Sequence, residues 1–396
     1  MTPNSRRRPR NGIASAILAL TLVANGAGCT RHQGGAPEAE FVLAAGDSTY
    51  WVRNVNGTLQ MRGSPMVLAR VQGRFRELYV VDDDRSFESA LFVGQRLYQR
   101  DLVTNDSGIV FQDTIVTALA TRFERANPEA RPLAPDEDPV GEPAASASAE
   151  LTVLGVHGPF LSLEYHVDTT GVGDDSWHMT RHVVVDLRTG AEATLAGVLG
   201  DSAAATVIGS GRRAYREALD SVRADRRPAA RRAARILDRF QFDPRSFALA
   251  APNGSLMVVF SAPGAGTGGE GYALPMRPLP VPEPDWWPEA RRDFPTTARE
   301  REEVWARGGY DVRAAYDSVA ESVRLAVVDS GGGAFQLGTI TAPVHRIYWL
   351  DEPALTSTER AALTRAFDEA ALYDESARTV RSGAAIGSSM LLARSP

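Results

Sequence analysis

The chain of 396 residues carries 43 basic and 49 acidic side chains, a formal net charge of −6 and 43% hydrophobic residues, enough for real cores in two or three domains. A mildly acidic body argues against nucleic acid or anionic lipid as the main partner. A single cysteine excludes an internal disulfide, so packing must hold the fold.

The first element is an export signal. Arg6, Arg7, Arg8 and Arg10 form a basic head, and the uncharged run from Ile13 to Ala24 forms a short apolar body. That run falls short of the roughly 20 apolar residues a membrane span needs. Gly26, Ala27 and Gly28 lead into Cys29, and this stretch resembles the lipobox of bacterial lipoproteins, although Gly26 stands where a branched apolar residue is usual. The resemblance implies cleavage after residue 28, acylation of Cys29 and attachment to a membrane through that lipid. Plain secretion and an uncleaved anchor are the alternatives. Loss of residues 1–28 removes four arginines and leaves 368 residues with a formal charge of −10. Thr30 and Arg31 follow the cysteine, with no aspartate of the kind that retains a lipoprotein, so the expected residence is the cell envelope with the outer membrane preferred.

Residues 29–47 read as a tether and 48–107 as a β-rich region. Asn56-Gly57 is a hairpin turn signal inside "TYWVRNVNGTLQMRG". "PMVLARV", "FRELYVV" and "ALFVGQRLYQRDLV" continue the meander, and Asp82, Asp83 and Asp84 read as a charged strand end beside Arg85. Ile115, Leu119 and Phe123 recur every four residues, one buried helical stripe. The proline-rich acidic stretch from 131 to 150 then breaks the pattern.

From 108 to 283 the pattern is α+β. Strands flank Gly158-Pro159, another pair is bent at Thr189-Gly190, helices are expected near 212–224 and 228–240, and Asn253-Gly254 turns a hairpin. Antiparallel sheets with a helical block inserted in the middle, instead of strand–helix alternation, define the fold class. Residues 284–396 read as a small α+β region. Strands are expected at "ESVRLAVVD", "AFQLGTI" and "VHRIYWLD", and a helix follows, capped by Thr356 or Ser357 with Glu359 in its first turn.

Motifs that carry chemistry are few. "GAGTGG" at 264–269 has dinucleotide-fingerprint spacing, but the proline-punctuated text after it offers no helix N-terminus for a pyrophosphate, so it reads as a hairpin loop and no nucleotide is expected. No basic residue is lysine, which also removes a phosphate loop. His178 and His182 are four apart without the glutamate of a zinc helix. On a strand they share a face, too far apart to hold one ion easily; with Asp174 and Asp175 they are nonetheless the candidate metal ligands. His157 and His166 read as rim or core residues and His345 stands alone. Trp286 and Trp287 are candidates for stacking on a partner or for packing between regions. No catalytic residue and no cofactor are assigned.

The order "FLSLEYHVDTT", "VVVDLRTGAEATLAGVL", helical block, "FALAAPNGSLMVVFSAP" resembles the C-terminal domain of unknown function shared by lysozyme-sensing anti-sigma factors and peptidoglycan deacetylase-type proteins. Asp186, Thr189 and Gly190 match its aspartate-x-x-threonine-glycine turn, and Phe260 and Pro275 its closing strand. "TTGVGDDSWHMT" replaces a glycine-glycine-alanine-histidine stretch common there. The resemblance covers about residues 108–280 and implies a non-catalytic envelope domain. The expected function is binding of an envelope protein, peptidoglycan or other glycan. A metal-assisted envelope hydrolase using residues near 174–182, or a purely structural lipoprotein, is the alternative.

Overall fold

Five apolar residues in succession, Phe41 to Ala45, have no polar face to give to water, and the fold uses them as an inner strand. The computed structural model describes residues 35–134, 137, 143–171, 178–238, 240–261, 264–267, 270–274, 276–299, 301–350 and 355–368. The chain divides into a leading unit, Met1–Gly35, and a second, Ala36–Pro396, which holds every described strand and helix.

β1 (Glu40–Ala45), β2 (Ser48–Val55) and β3 (Thr58–Ser64) form a meander. Asn56 and Gly57 join the last two with φ of 53° and 79°, the left-handed pair of a type I′ turn. A tether reaching residue 47 is therefore corrected: Phe41, Leu43 and Ala45 face one core and Val42 another, so the chain is already buried on both sides by residue 41.

β4 (Val67–Val71), β5 (Arg74–Phe87), β6 (Ala90–Asp101) and β7 (Ser107–Gln112) precede α1 (Ile115–Ala126), and β8 (Ala145–His157), β9 (Phe160–Thr170), β10 (His178–Asp186) and β11 (Ala191–Glu192) follow it. They make one eight-stranded sheet in the order β11-β10-β9-β8-β6-β5-β4, with β7 also on β6; the β6–β8 pairing is parallel. This sheet runs straight across the boundary expected at 107/108. Asp113 caps α1, its carboxylate accepting from the backbone N–H of Ile115, Val116 and Thr117 at 3.0, 3.2 and 3.1 Å. The expected stripe of Ile115, Leu119 and Phe123 packs on the sheet. Asp82, Asp83 and Asp84 do not end a strand. They lie inside the 14-residue β5, where Asp82 accepts from Gln95 at 2.8 Å and Asp83 pairs with Arg96.

The helical block begins earlier than expected. α2 (Leu195–Leu199) and α3 (Asp201–Ala224) precede α4 (Pro228–Leu237). The Thr194 hydroxyl accepts from Gly197 N at 3.1 Å to start α2, and Gly200, at φ 81°, separates it from α3. β12 (Phe247–Ala250), β13 (Met257–Phe260) and β16 (Leu279–Pro280) form a small sheet, while β14 (Gly264–Thr267) and β15 (Glu270–Ala273) pair antiparallel. Alternation along β9 and β10 sends Leu161, Leu163, Val183 and Val185 toward α1. Phe160 and Val184 go to the opposite face, under α2, α3 and the small sheet.

After α5 (Trp287–Ala290), the chain forms a five-stranded antiparallel meander: β17 (Thr297–Arg299), β18 (Glu302–Ala306), β19 (Tyr310–Asp317), β20 (Ser322–Asp329) and β21 (Ala334–Ile340). β22 (Val344–Trp349) then pairs with β1, placing Phe41 opposite Trp349. The strands expected at "ESVRLAVVD", "AFQLGTI" and "VHRIYWLD" are β20, β21 and β22. β1 and the meander share one core of Phe41, Leu43, Trp305, Val312, Leu325 and Ile347. Of the two expected caps, Thr356 starts the helix over 357–368, and with Glu359 it closes a reciprocal box: Glu359 N donates to Thr356 Oγ1 at 3.2 Å, and Thr356 N to Glu359 Oε2 at 2.8 Å.

Candidate ligand cleft

The pairing of β8 with β9 shifts register between Val153 and Gly155, and the last residues of β8, Val156 and His157, line a cleft. β22 arrives alongside them and carries His345 and Arg346. The small sheet supplies Leu249 and Val259, Phe294 packs against His157, and β18 and β19 contribute Glu303 and Tyr316. Between these elements lies a cleft of about 610 Å³, within the size range of small-molecule sites.

Arg346 and His157 are the buried polar groups of its wall, 3% and 4% exposed. Arg346 donates from Nη1 to Val156 O, and its guanidinium lies 5.3 Å from the centre of the Tyr348 ring. The imidazole of His157 stacks on Phe294. Arg346 Nε and His157 Nδ1 are buried with no hydrogen-bond partner among the described residues. Burial, with Arg346 and His345 adding repulsion, drives the His157 pKa down to about 3, so its ring is neutral at physiological pH. Loss of solvation pushes the carboxyl of Asp293 up to about 7, against the opposing pull of Arg346, Arg70 and Arg292. Across the cleft, Tyr316 OH donates to Glu303 Oε2 at 2.6 Å. Burial raises the Glu303 pKa although that bond works the other way, and burial followed by the Glu303 contact raises that of Tyr316.

Of the candidates read from sequence, His182 lines this cleft. Its Nε2 lies 3.3 Å from Glu164 Oε2 and its Nδ1 3.4 Å from Val259 O. His178 is on the same face of β10 but exposed and outside the cleft lining, four strand residues or roughly 13 Å away. It faces Asp168 across the sheet, and its ring centre is 6.4 Å from that of His166. Among the described residues no group of three or more His, Cys, Asp or Glu could hold a metal ion. Asp174, Asp175 and Cys29 lie outside the described residues.

Trp287 is fully buried, leaving no surface for a partner in this conformation, and Trp286 is partly buried. Trp286 Nε1 donates to Val198 O at 2.9 Å, and its ring packs on Phe160. At Gly158, φ is 57° and a Cβ would come within 2.9 Å of that indole, so the β8–β9 turn needs glycine for both reasons. Trp287 packs on Phe294 at 5.3 Å, so the tryptophan pair backs the wall on which His157 lies.

Sequence reasoning missed Arg346, Phe294 and the Glu303–Tyr316 pair. One signal was available: Arg346 interrupts the otherwise apolar positions of "VHRIYW", and a charge at an inward strand position needs a reason.

Fold and site together define an α+β protein with antiparallel sheets, an inserted helical block and a ligand-sized cleft. No family model matches the chain, and no curated protein matches it. Among solved structures it is similar to a DUF3298 family protein from Pseudomonas aeruginosa, at 13% identity and a TM-score of 0.28 over 52% of this chain and 90% of the other.

Proposed function

We propose that this chain is a lipid-anchored protein of the cell envelope that binds a partner there without chemistry of its own, and that the cleft is where the partner enters. The anchor rests on the sequence around Cys29. The binding site rests on one observation: a buried arginine and a buried histidine, each with a nitrogen left unpartnered, in the wall of a cleft of ligand size. His182 has both ring nitrogens set against a carboxylate and a carbonyl, and His157 lies against an aromatic ring.

Mass spectrometry of protein from host membranes tests the anchor. A mature chain beginning at an acylated Cys29, absent in Cys29→Ser, is expected; residues 1–28 retained with a bare thiol would overturn it. Affinity capture from envelope extract tests the rest. A component retained by the wild-type chain, released unaltered in mass and not retained by Leu154→Trp at the cleft rim, is the expected result. A component released with a bond cleaved would instead make the chain an enzyme.

A further inference from the structure

Most of the cleft wall is apolar, built by Leu154, Val156, Leu249, Val259 and Phe294. Into that wall the fold sets Arg346. A guanidinium has five N–H donors and does not lose its charge in proteins. Here one nitrogen meets Val156 O, the ring of Tyr348 lies nearby, and Nε has nothing. Asp293 feels its charge, yet the two form no ion pair. Burying a cation short of acceptors is costly, and a chain that folds this way keeps donors in reserve.

A carboxylate answers both deficits. Its two oxygens fit the planar fork of a guanidinium, and its charge neutralises the buried cation. His157 Nδ1, also unpartnered, is a second polar atom on the same wall. The remaining surface suits an aliphatic or aromatic body. Resting on the cleft as the binding site proposed above, we infer that the group it takes is a carboxylate carried on an apolar body, with Arg346 holding the carboxylate.

The test is calorimetric titration of the full chain, in a non-ionic detergent, with 4-phenylbutyrate, with 4-phenylbutanol and with inorganic phosphate. The acid is expected to saturate a single site, with the alcohol weaker by about tenfold or more, the loss expected for a charge-assisted hydrogen bond, and phosphate weaker still. Arg346→Met is expected to remove the preference for acid over alcohol, and Leu154→Trp, at the exposed rim of the cleft, to weaken both. Should Arg346→Met fail to fold by near-UV circular dichroism, the wild-type comparison and Leu154→Trp decide alone. Equal binding of acid and alcohol, both lost in Leu154→Trp, overturns the carboxylate assignment and leaves the cleft as a binding site. No binding of either, or binding of the acid that Leu154→Trp does not change, overturns both.

Discussion

The imidazole of His157 lies on the ring of Phe294, centroids 5.2 Å apart and planes within 10° of parallel. Burial, with the charges of Arg346 and His345, holds the histidine pKa near 3 against an ordinary value of 6.5. The unfolded chain therefore takes up a proton below about pH 6.5 that the folded chain refuses until about pH 3. The stability from this site is complete above the unfolded value and is lost as pH falls through that window, by at most about 1.4 kcal/mol per pH unit. His157→Gln is expected to remove this contribution, as measured by urea unfolding across a pH series; an unchanged pH dependence would contradict a neutral buried imidazole.

Asp293 works in the opposite direction. The unfolded carboxyl ionises near 3.8, while the folded one keeps its proton to about 7. This site therefore favours the fold most below pH 3.8 and loses that advantage as pH rises toward 7. Between about pH 4 and 6.5 the two slopes oppose each other. Asp293→Asn should leave stability rising with pH, His157→Gln should leave it falling, and the double variant should follow neither slope. Parallel curves for both single variants would show that the two groups do not titrate as described.

The sequence made visible what depends on local pattern. Asn56-Gly57 could be read as a turn because few dipeptides accept two positive φ values, and Thr356 with Glu359 as a helix start because the box is written in four residues. β1 was hidden by its own burial: a strand covered on both faces has no alternation and, in six residues, no period to detect. The start of the helical block was hidden because "ATLAGVLG" is too short for a stripe, and a threonine cap followed by a glycine break is all that marks it. The cleft was the least legible part. Its polar residues come from β8, β10, β18, β19 and β22, far apart in the chain, and the packing of three separate sheets brings them together. His178 and His182, adjacent in text, are separated by the rise of the strand they share.

Gly211, in the middle of α3, is a packing glycine. A Cβ there would stand 2.5 Å from Phe260 Cε2 and 2.9 Å from Phe242 Cζ, and these rings pack edge to face against each other. Alanine normally stabilises a helix interior over glycine by roughly 0.5–1 kcal/mol. Here the clash with two rings should reverse the sign, since overpacking a close-packed core costs about 1–3 kcal/mol. Gly211→Ala should therefore lower the urea midpoint, while Gly209→Ala, which meets nothing within 4 Å, should leave it unchanged or raise it. Stabilisation by both substitutions would refute the close approach of α3 to β13.

Where the folded body begins can be tested by trimming. Phe41, Val42 and Leu43 are fully buried, and each contributes about 1.5–3 kcal/mol by leaving water. Together that is comparable with the entire stability of a domain, roughly 5–15 kcal/mol. Removing β1 would also strip the partner from both β2 and β22, opening two inner strand edges. A chain starting at Ala36 should therefore unfold cooperatively, and one starting at Gly46 should lack near-UV circular dichroism and aggregate. Cooperative unfolding of the shorter chain with an undiminished midpoint would show that residues 36–45 are a tether after all.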